Sequence, residues 1–453
     1  MTNQGLSKFA LYTLDRLTDS FPIFLPRIFQ KIFLTIVGSQ TVYAFYQKRY
    51  SRKLRQVKSF NKILIITDVN IGDAVMIQQI IIAMKSVFPN AEIDYLCNRS
   101  GGELLLSLPG VNHVYGIFRG NGVPLEDELM AIREIVRSTK YSVIINICPF
   151  ISKKDLKCDA PVLHLYIPYA SYILRLWKLK TGQMHFSAAV HVFLGELLAP
   201  FAVEKRSSVS PTVKGQRVSH GNSIYLSHKE IEFAKEFLTD NSLFMAEHLL
   251  FFNINATSRY TQIPLELQIR ILTKILQSED IDAALLSAGH PKQGIEQTIL
   301  EALPWTLQKK VVVVPHMHLG AFAALIDACD VFLSSDTGPT HIAASWKVGL
   351  STNDAMRNRT SVVTVFGATD SRMYGYDSER PDHIPANQNA PSKVFLANAP
   401  CRNITCIDKL GKTCKEIRCF QGLDPDVISG YIISRFRHLS NQVLATMNEI
   451  TVE

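Results

Sequence analysis

The sequence lacks the signatures that mark the commonest nucleotide and hydrolytic sites. No Gly-x-Gly-x-x-Gly follows a strand-like run, so a nicotinamide dinucleotide site is not supported. No His-Glu-x-x-His and no Gly-x-Ser-x-Gly occur, against a zinc protease or an α/β-hydrolase. Gly411-Lys412-Thr413 ends like a phosphate-binding P-loop, but Cys406 stands where that motif needs its earlier glycine. Long apolar runs are missing too. The longest uncharged stretch of residues 1–60, Ile32 to Gln47, has 16 residues, Gly38, Ser39, Gln40 and Thr41 among them, and a spanning helix needs about 20. Cysteine is sparse, with 8 in 453 residues, too few for a disulfide framework, and no secretory signal pattern opens the chain. A reducing, cytoplasmic setting is expected.

Acidic residues are scarce in one place. Met1 to Lys62 carry 11 Lys and Arg against only Asp15 and Asp19, and this segment accounts for the whole net charge of +8. The near-neutral remainder argues against a general nucleic-acid binder. Within residues 1–60 aromatic and aliphatic positions alternate with cations, ending in Lys48-Arg49-Tyr50-Ser51-Arg52-Lys53-Leu54-Arg55. Such a pattern suits amphipathic helices on an anionic inner-membrane surface, or a helical extension packed on the main body.

What is present is an apolar chain, with a hydrophobic fraction of 47% and a mean hydropathy of +0.08, long enough for two cores plus an appendage. Strand-like and helical runs alternate. Lys62–Thr67 reads as a β-branched strand, Ala74–Phe88 as a helix and Ala91–Leu96 as the next strand. A helix near Gly102–Leu108, a strand Val111–Phe118, a helix Leu125–Thr139 and a strand Tyr141–Ile147 follow. Pro161–Pro168 and Tyr172–Lys180 suit either an acceptor pocket or the cover of a sheet edge, and Lys205–Asn222 reads as the approach to a linker.

A second series then begins. Strands are expected at Ser223–Leu226, Leu249–Ile254, Asp282–Ser287, Lys310–Val314 and Val362–Gly367. Helices are expected at Pro264–Gln277, Gln293–Ala302, Leu319–Cys329 and Asp424–Met447. The organisation expected is therefore residues 1–60 as a basic helical extension, 61–220 as one α/β domain and 221–453 as another, with ligands at strand carboxyl ends.

Two turns carry the chemistry. Val331-Phe-Leu-Ser-Ser-Asp336-Thr337-Gly338-Pro339-Thr-His341 reads as a buried strand, a glycine turn and a helix start with proline in its first turn. That grammar suits an anion such as a diphosphate, or simply a helix cap by Asp336 or Thr337. Ile71-Gly72-Asp73 occupies the equivalent turn of the first domain, where Asp73 is either a helix cap or a functional carboxylate. His316 and His318 without a third ligand are weak evidence for metal. Cys401-x4-Cys406-x7-Cys414-x4-Cys419 is looser than a usual metal knuckle, and both metal and plain structural thiols stay open.

Together these stretches resemble glycosyltransferase family 9, the heptosyltransferases of lipopolysaccharide core synthesis. The resemblance runs over roughly residues 60–440 through Ile71-Gly-Asp-Ala-Val75, Phe88-Pro-Asn-Ala-Glu-Ile-Asp94, Asp336-Thr-Gly-Pro-Thr-His-Ile-Ala-Ala344, Val365-Phe-Gly-Ala-Thr-Asp370 and the cysteine cluster. It implies an α/β GT-B fold, two Rossmann-like domains facing across a cleft, that transfers a sugar with inversion and without metal or other cofactor. The donor implied is a nucleotide sugar such as ADP-heptose, and the acceptor a lipopolysaccharide-type lipid at the inner membrane. Asp73 matches the general base, with Asn70 and Gly72 beside it on the acceptor side. Asp336, Thr337, Gly338, Pro339 and His341 match donor-binding positions, and Thr369, with Asp370, borders them.

The chain departs from the family pattern in three places. Asn255 to Pro264 lacks the usual Lys or Arg before a Trp-Pro pair, leaving Arg259 as the nearest cation for the phosphates, or a solvated loop arginine. Gly289-His-Pro-Lys-Gln293 lacks an acid often found there, and Leu350–Thr360 is an insertion. Another sugar nucleotide, a protein or capsule acceptor, or a catalytically silent sugar-nucleotide binder are the alternatives.

Overall fold

The structure is a computed structural model that describes residues 48, 50–57, 59–67, 71–119, 124–148, 150–164, 185–188, 197–198, 222–287, 294–351, 354–399 and 418–439, with helix backbone to 450. The chain divides into two compact units, Met1–Val218 and Ser219–Glu453.

Among the described residues the first unit holds five strands: β1 (Lys62–Ile66), β2 (Glu92–Asn98), β3 (His113–Phe118), β4 (Val143–Asn146) and β5 (Val162–His164). They form one parallel sheet in the order β3-β2-β1-β4-β5. Parallel strands are covered on both faces, which explains why Ile63 to Ile66 are all fully buried rather than alternating. The helix after β1, Ile71–Val87, starts three residues earlier than its apolar run suggests, so Gly72 and Asp73 lie in its first turn. It is buried around most of its circumference, Gln78 and Gln79 included. The apolar run at Gly102–Leu108 is not a helix: the helix there is Arg99–Gly102, capped by the Asn98 side chain, and a turn follows.

Residues 50–55 are helical, with Tyr50 and Leu54 buried. Tyr50 Oη donates to His164 O, and Lys53 Nζ donates to Val162 O at 3.2 Å, so the end of the basic extension lies along the edge strand β5. Covering an edge removes a row of unpaired backbone groups from solvent. Of the stretch expected to line a pocket or cover an edge, Val162–His164 is itself the edge strand, while Tyr172–Lys180 lies outside the described residues. The membrane expectation for residues 1–60 falls outside them over residues 1–47. No described helix is long and apolar enough to cross a membrane.

The second unit contains β6 (Ser223–Leu226), β7 (Leu249–Phe252), β8 (Ala283–Ser287), β9 (Val311–Val314), β10 (Val331–Ser335), β11 (Trp346–Gly349), β12 (Ser361–Phe366) and β13 (Ser392–Leu396). Six make a parallel sheet in the order β13-β12-β10-β7-β8-β9, and β11 pairs with β6 in a separate two-stranded sheet. In this doubly wound order the chain reverses direction across the sheet between β7 and β10, the switch point where such folds open a crevice at the carboxyl ends. One face, Leu286 of β8 included, buries Ile271, Ile275, Ile299 and Phe436 from helices Leu265–Leu276, Ile295–Ala302 and Pro425–Ile450. On Phe251 pack Phe322, edge-on at 5.1 Å, and Phe332, stacked at 5.8 Å.

Helix His228–Asp240 has a capping box, Ser227 with Glu230, that the sequence carries in plain view. The insertion after β11 is pinned down: Asp327 accepts from the backbone N–H groups of Arg357 and Asn358 at 2.7 and 2.9 Å, and Asp354 meets His228 at 2.9 Å. Gly349 makes this possible, because a Cβ there would stand 2.2 Å from Asp354 O.

Candidate active site

Polar residues gather at the carboxyl ends of both main sheets. In the first unit Thr67, Asn98, Asn146 and His164 follow or end β1, β2, β4 and β5, all of them buried. Asn146 Nδ2 donates to Ile151 O at 2.7 Å and faces His164 Nδ1 at 3.2 Å, which makes that ring nitrogen the acceptor. Asp73 stands half-buried in the first turn of helix Ile71–Val87, where the helix dipole favours a carboxylate. Its charge reaches Tyr95 on β2, whose buried phenol is pushed well above its ordinary value, first by burial and then by Cys97 and Asp73. Gly72 is buried beside it. Asn70, expected on the acceptor side, lies outside the described residues.

In the second unit the residues meet at the switch point. β10 ends at Ser335, and helix Gly338–Ala344 begins with Thr337 as its cap residue and Pro339 in its first turn, as the sequence predicts. Asp336 is half-buried, and burial raises its carboxyl from the ordinary 3.8 to about 6, partly offset by the Thr369 hydroxyl. Thr369, in the turn after β12, is thereby brought against Asp336. Its neighbour Asp370 caps helix Ser371–Tyr374 and is held by Arg372, Nε on Oδ1 at 2.9 Å and Nη2 on Oδ2 at 2.7 Å.

His341 is placed differently from a surface ligand. It is 3% exposed, its Nδ1 shares a hydrogen bond of 2.8 Å with Tyr376 Oη, and the two rings meet edge to face at 5.7 Å. Burial lowers His341 to about 4, so the ring is neutral at pH 7. The side chain braces the short helix from within, and Tyr376 had no sequence signal.

Between β7, β8 and β10 runs a hydrogen-bonded plate that sequence reading missed. Asn253, 4% exposed, follows β7 directly. Its Nδ2 donates to Asn255 O at 3.0 Å, Ser334 Oγ at 2.8 Å and Thr337 Oγ1 at 3.2 Å, and its Oδ1 accepts from Ser287 Oγ at 2.9 Å. A polar residue closing the apolar run Leu249–Phe252 was the available signal.

Arg259 is exposed in the loop after β7 and lines a cavity of about 280 Å³ with Gln262, Pro264, Leu265, Gln268 and Ile295. Gln268 is buried, with its Nε2 on Ile263 O at 2.7 Å and its Oε1 without a hydrogen-bond partner. Residues 288–293, where the family acid was expected and absent, lie outside the described residues, as do Cys401, Cys406 and Cys414. Cys419 is buried in the hydrophobic cluster with Phe420 and Ala368, and Gly367 lets it approach closely. Among the described residues no group of three His, Cys, Asp or Glu is arranged to hold a metal. His318 Nδ1 accepts from the Gly320 N–H at 3.2 Å and so caps helix Leu319–Asp327.

Two doubly wound parallel-sheet units in one chain are the architecture of the GT-B fold. A crystal structure of a glycosyl transferase family 9 protein from Veillonella parvula DSM 2008 shares the fold, with a TM-score of 0.57 at 14% identity over 84% of this chain and 97% of that one. Residues 226–409 match the family model of glycosyltransferase family 9 (heptosyltransferase). Two Escherichia coli structures are more distant in shape. ADP-heptose lps heptosyltransferase II has a TM-score of 0.47 at 16% identity over 84% of this chain and 99% of its own. Heptosyltransferase WaaC with ADP has a TM-score of 0.49 at 15% identity over 83% and 99%. No curated protein sequence matches the chain.

Proposed function

We propose that the protein transfers a heptose or related sugar, with inversion and without metal, from a nucleotide carrier such as ADP-heptose to a lipopolysaccharide-type acceptor. The observation that carries this reading is the Ser334–Thr337 turn at the switch point between β7 and β10, inside the stretch that matches family 9. Thr337 and the Gly338 N–H, with Pro339 fixing the turn, suit the diphosphate, and Arg259 adds the cation that offsets its charge as it departs. Asp336, an acceptor of hydrogen bonds once ionised, suits sugar hydroxyls instead, with Thr369 holding its carboxylate. His341 supports the turn from below.

Asp73 takes the proton of the acceptor hydroxyl as that oxygen attacks the anomeric carbon. A carboxylate fits the task because it also tolerates the positive charge that builds on the sugar ring. Asn70 and Gly72 flank it. Residues 1–47 bring the protein to the inner membrane face, since their cations and apolar side chains suit an anionic bilayer surface.

Sugar release from a panel of nucleotide sugars, with Asp73→Ala as control, tests the reading. Turnover of one donor that the variant abolishes supports it. Binding without turnover across the panel favours a silent sugar-nucleotide binder. Deletion of residues 1–47, which spares Tyr50 and Leu54, tests the membrane part: unchanged co-sedimentation with anionic vesicles removes it.

A further inference from the structure

The hydrogen bonds around Asn253 have a direction that fixes what Thr337 can do. Asn255 O, a carbonyl, only accepts, so the atom 3.0 Å from it is the Asn253 amide nitrogen, and the other amide atom is the oxygen that accepts from Ser287. The nitrogen has two hydrogens. One goes to Asn255 O, and the other is shared by Ser334 Oγ at 2.8 Å and Thr337 Oγ1 at 3.2 Å. Ser334 is fully buried, and its oxygen already accepts from Asn253. Either hydroxyl of that pair can donate, but a buried O–H needs an acceptor, and among the described residues the one in reach of the Ser334 hydrogen is Thr337 Oγ1, 3.0 Å away. Thr337 Oγ1 then accepts twice. Among the described residues its own hydrogen has only Ser335 O, at 3.5 Å, beyond the range of a good O–H···O bond. Because Thr337 is half-buried, that hydrogen can reach a bound molecule.

We propose that Asn253 is a positioning residue that orients this hydroxyl chain, so that Thr337 presents its O–H as a donor to an acceptor-only oxygen, the phosphoryl oxygen of a nucleoside diphosphate. The inference rests on the donor-site reading above and adds to it the residue that sets the site's polarity. The plate spans β8, β7 and β10 through Ser287, Asn253 and Ser334, so the donor hydrogen is in place before the ligand arrives. A ligand group that offers only donors, such as an ammonium, meets a hydroxyl whose lone pairs are already engaged.

The test is calorimetric binding of ADP, UDP and GDP, each alone, to wild type, Asn253→Ala, Thr337→Val and the double variant, with thermal unfolding as the check of fold. A hydrogen bond to a charged group contributes about 1.5–3 kcal/mol, so each single variant loses about tenfold or more in affinity for the diphosphate that wild type binds. If Asn253 acts through Thr337, Asn253→Ala costs less than about twofold when Thr337 is already valine. An equal loss in both backgrounds, or no loss from Asn253→Ala, overturns the inference. Asn253→Asp, which keeps the volume and the acceptor for Ser287, repeats the cycle should the alanine variant not fold. Wild type that binds none of the three diphosphates sinks the donor-site reading itself, an outcome separate from failure of the cycle.

Discussion

Replacing Asp336 by asparagine should make the protein more stable at neutral pH. Burial raises this carboxyl from 3.8 to about 6. Between those values the folded protein holds a proton that the unfolded chain has released, so the stability due to this group falls as pH rises through the window and stays low above it. A difference of about two pH units corresponds to roughly 3 kcal/mol as a ceiling, and for a half-buried group about 2 kcal/mol is the expected size. In a unit of this length that is roughly 4–8 °C in Tm.

His341 runs the other way. Burial lowers it from 6.5 to about 4, so the unfolded chain takes up the extra proton, and its contribution to stability is lost as pH falls through that range. The two groups oppose each other in wild type, and Asp336→Asn leaves His341 unopposed. Thermal unfolding of both proteins from pH 4 to 8 should therefore show no gap near pH 4 and a gap that opens in favour of the variant until about pH 6.5. A gap constant across the range, or an asparagine variant less stable at pH 7.5, refutes the reasoning. Under the proposed donor role of Asp336, sugar transfer by the same variant should fall.

Three further outcomes follow from the same geometry. Asp73→Asn should lower kcat by about 100- to 10,000-fold, the range for loss of a general base, with diphosphate affinity within twofold of wild type. Steady-state kinetics beside calorimetry separate the two. Arg259→Ala should raise the donor KM by about tenfold, with a smaller effect in high salt, while Arg259→Lys recovers part of it. Gly349→Ala puts a Cβ 2.2 Å from Asp354 O, and since backbone must move it should cost about 1–3 kcal/mol, read as a lower urea midpoint.

Much of the fold was legible in the chain. The β-branched run at Lys62–Ile66 and the run opened by Val331-Phe-Leu333 in Val331–Ser335 are buried on both sides and read as parallel strands at once. Helix His228–Asp240 was equally open to reading, since Ser227 and Glu230 form a capping box ahead of an amphipathic run, yet its span went unassigned. Trp346–Gly349 and Ser392–Leu396 gave little warning. Each is a short strand whose identity comes from pairing with a distant partner, β6 and β12 respectively, and short runs carry little periodicity.

The sequence by itself determined the two α/β series, the placing of Asp73 and of Asp336 to His341 just after strands, and the family resemblance that joins them. Local grammar suffices there, because a strand, a turn and a helix start are each written within a few residues. Tertiary structure alone decided that Asn253 would meet Ser287 and Ser334, and that His341 would turn inward to Tyr376. Those partners are separated by 34, 81 and 35 positions. They are brought together by the order of β8, β7 and β10 in the sheet and by the packing beneath Asp336. Strand order is settled by burying whole faces against one another, which no short stretch of sequence encodes.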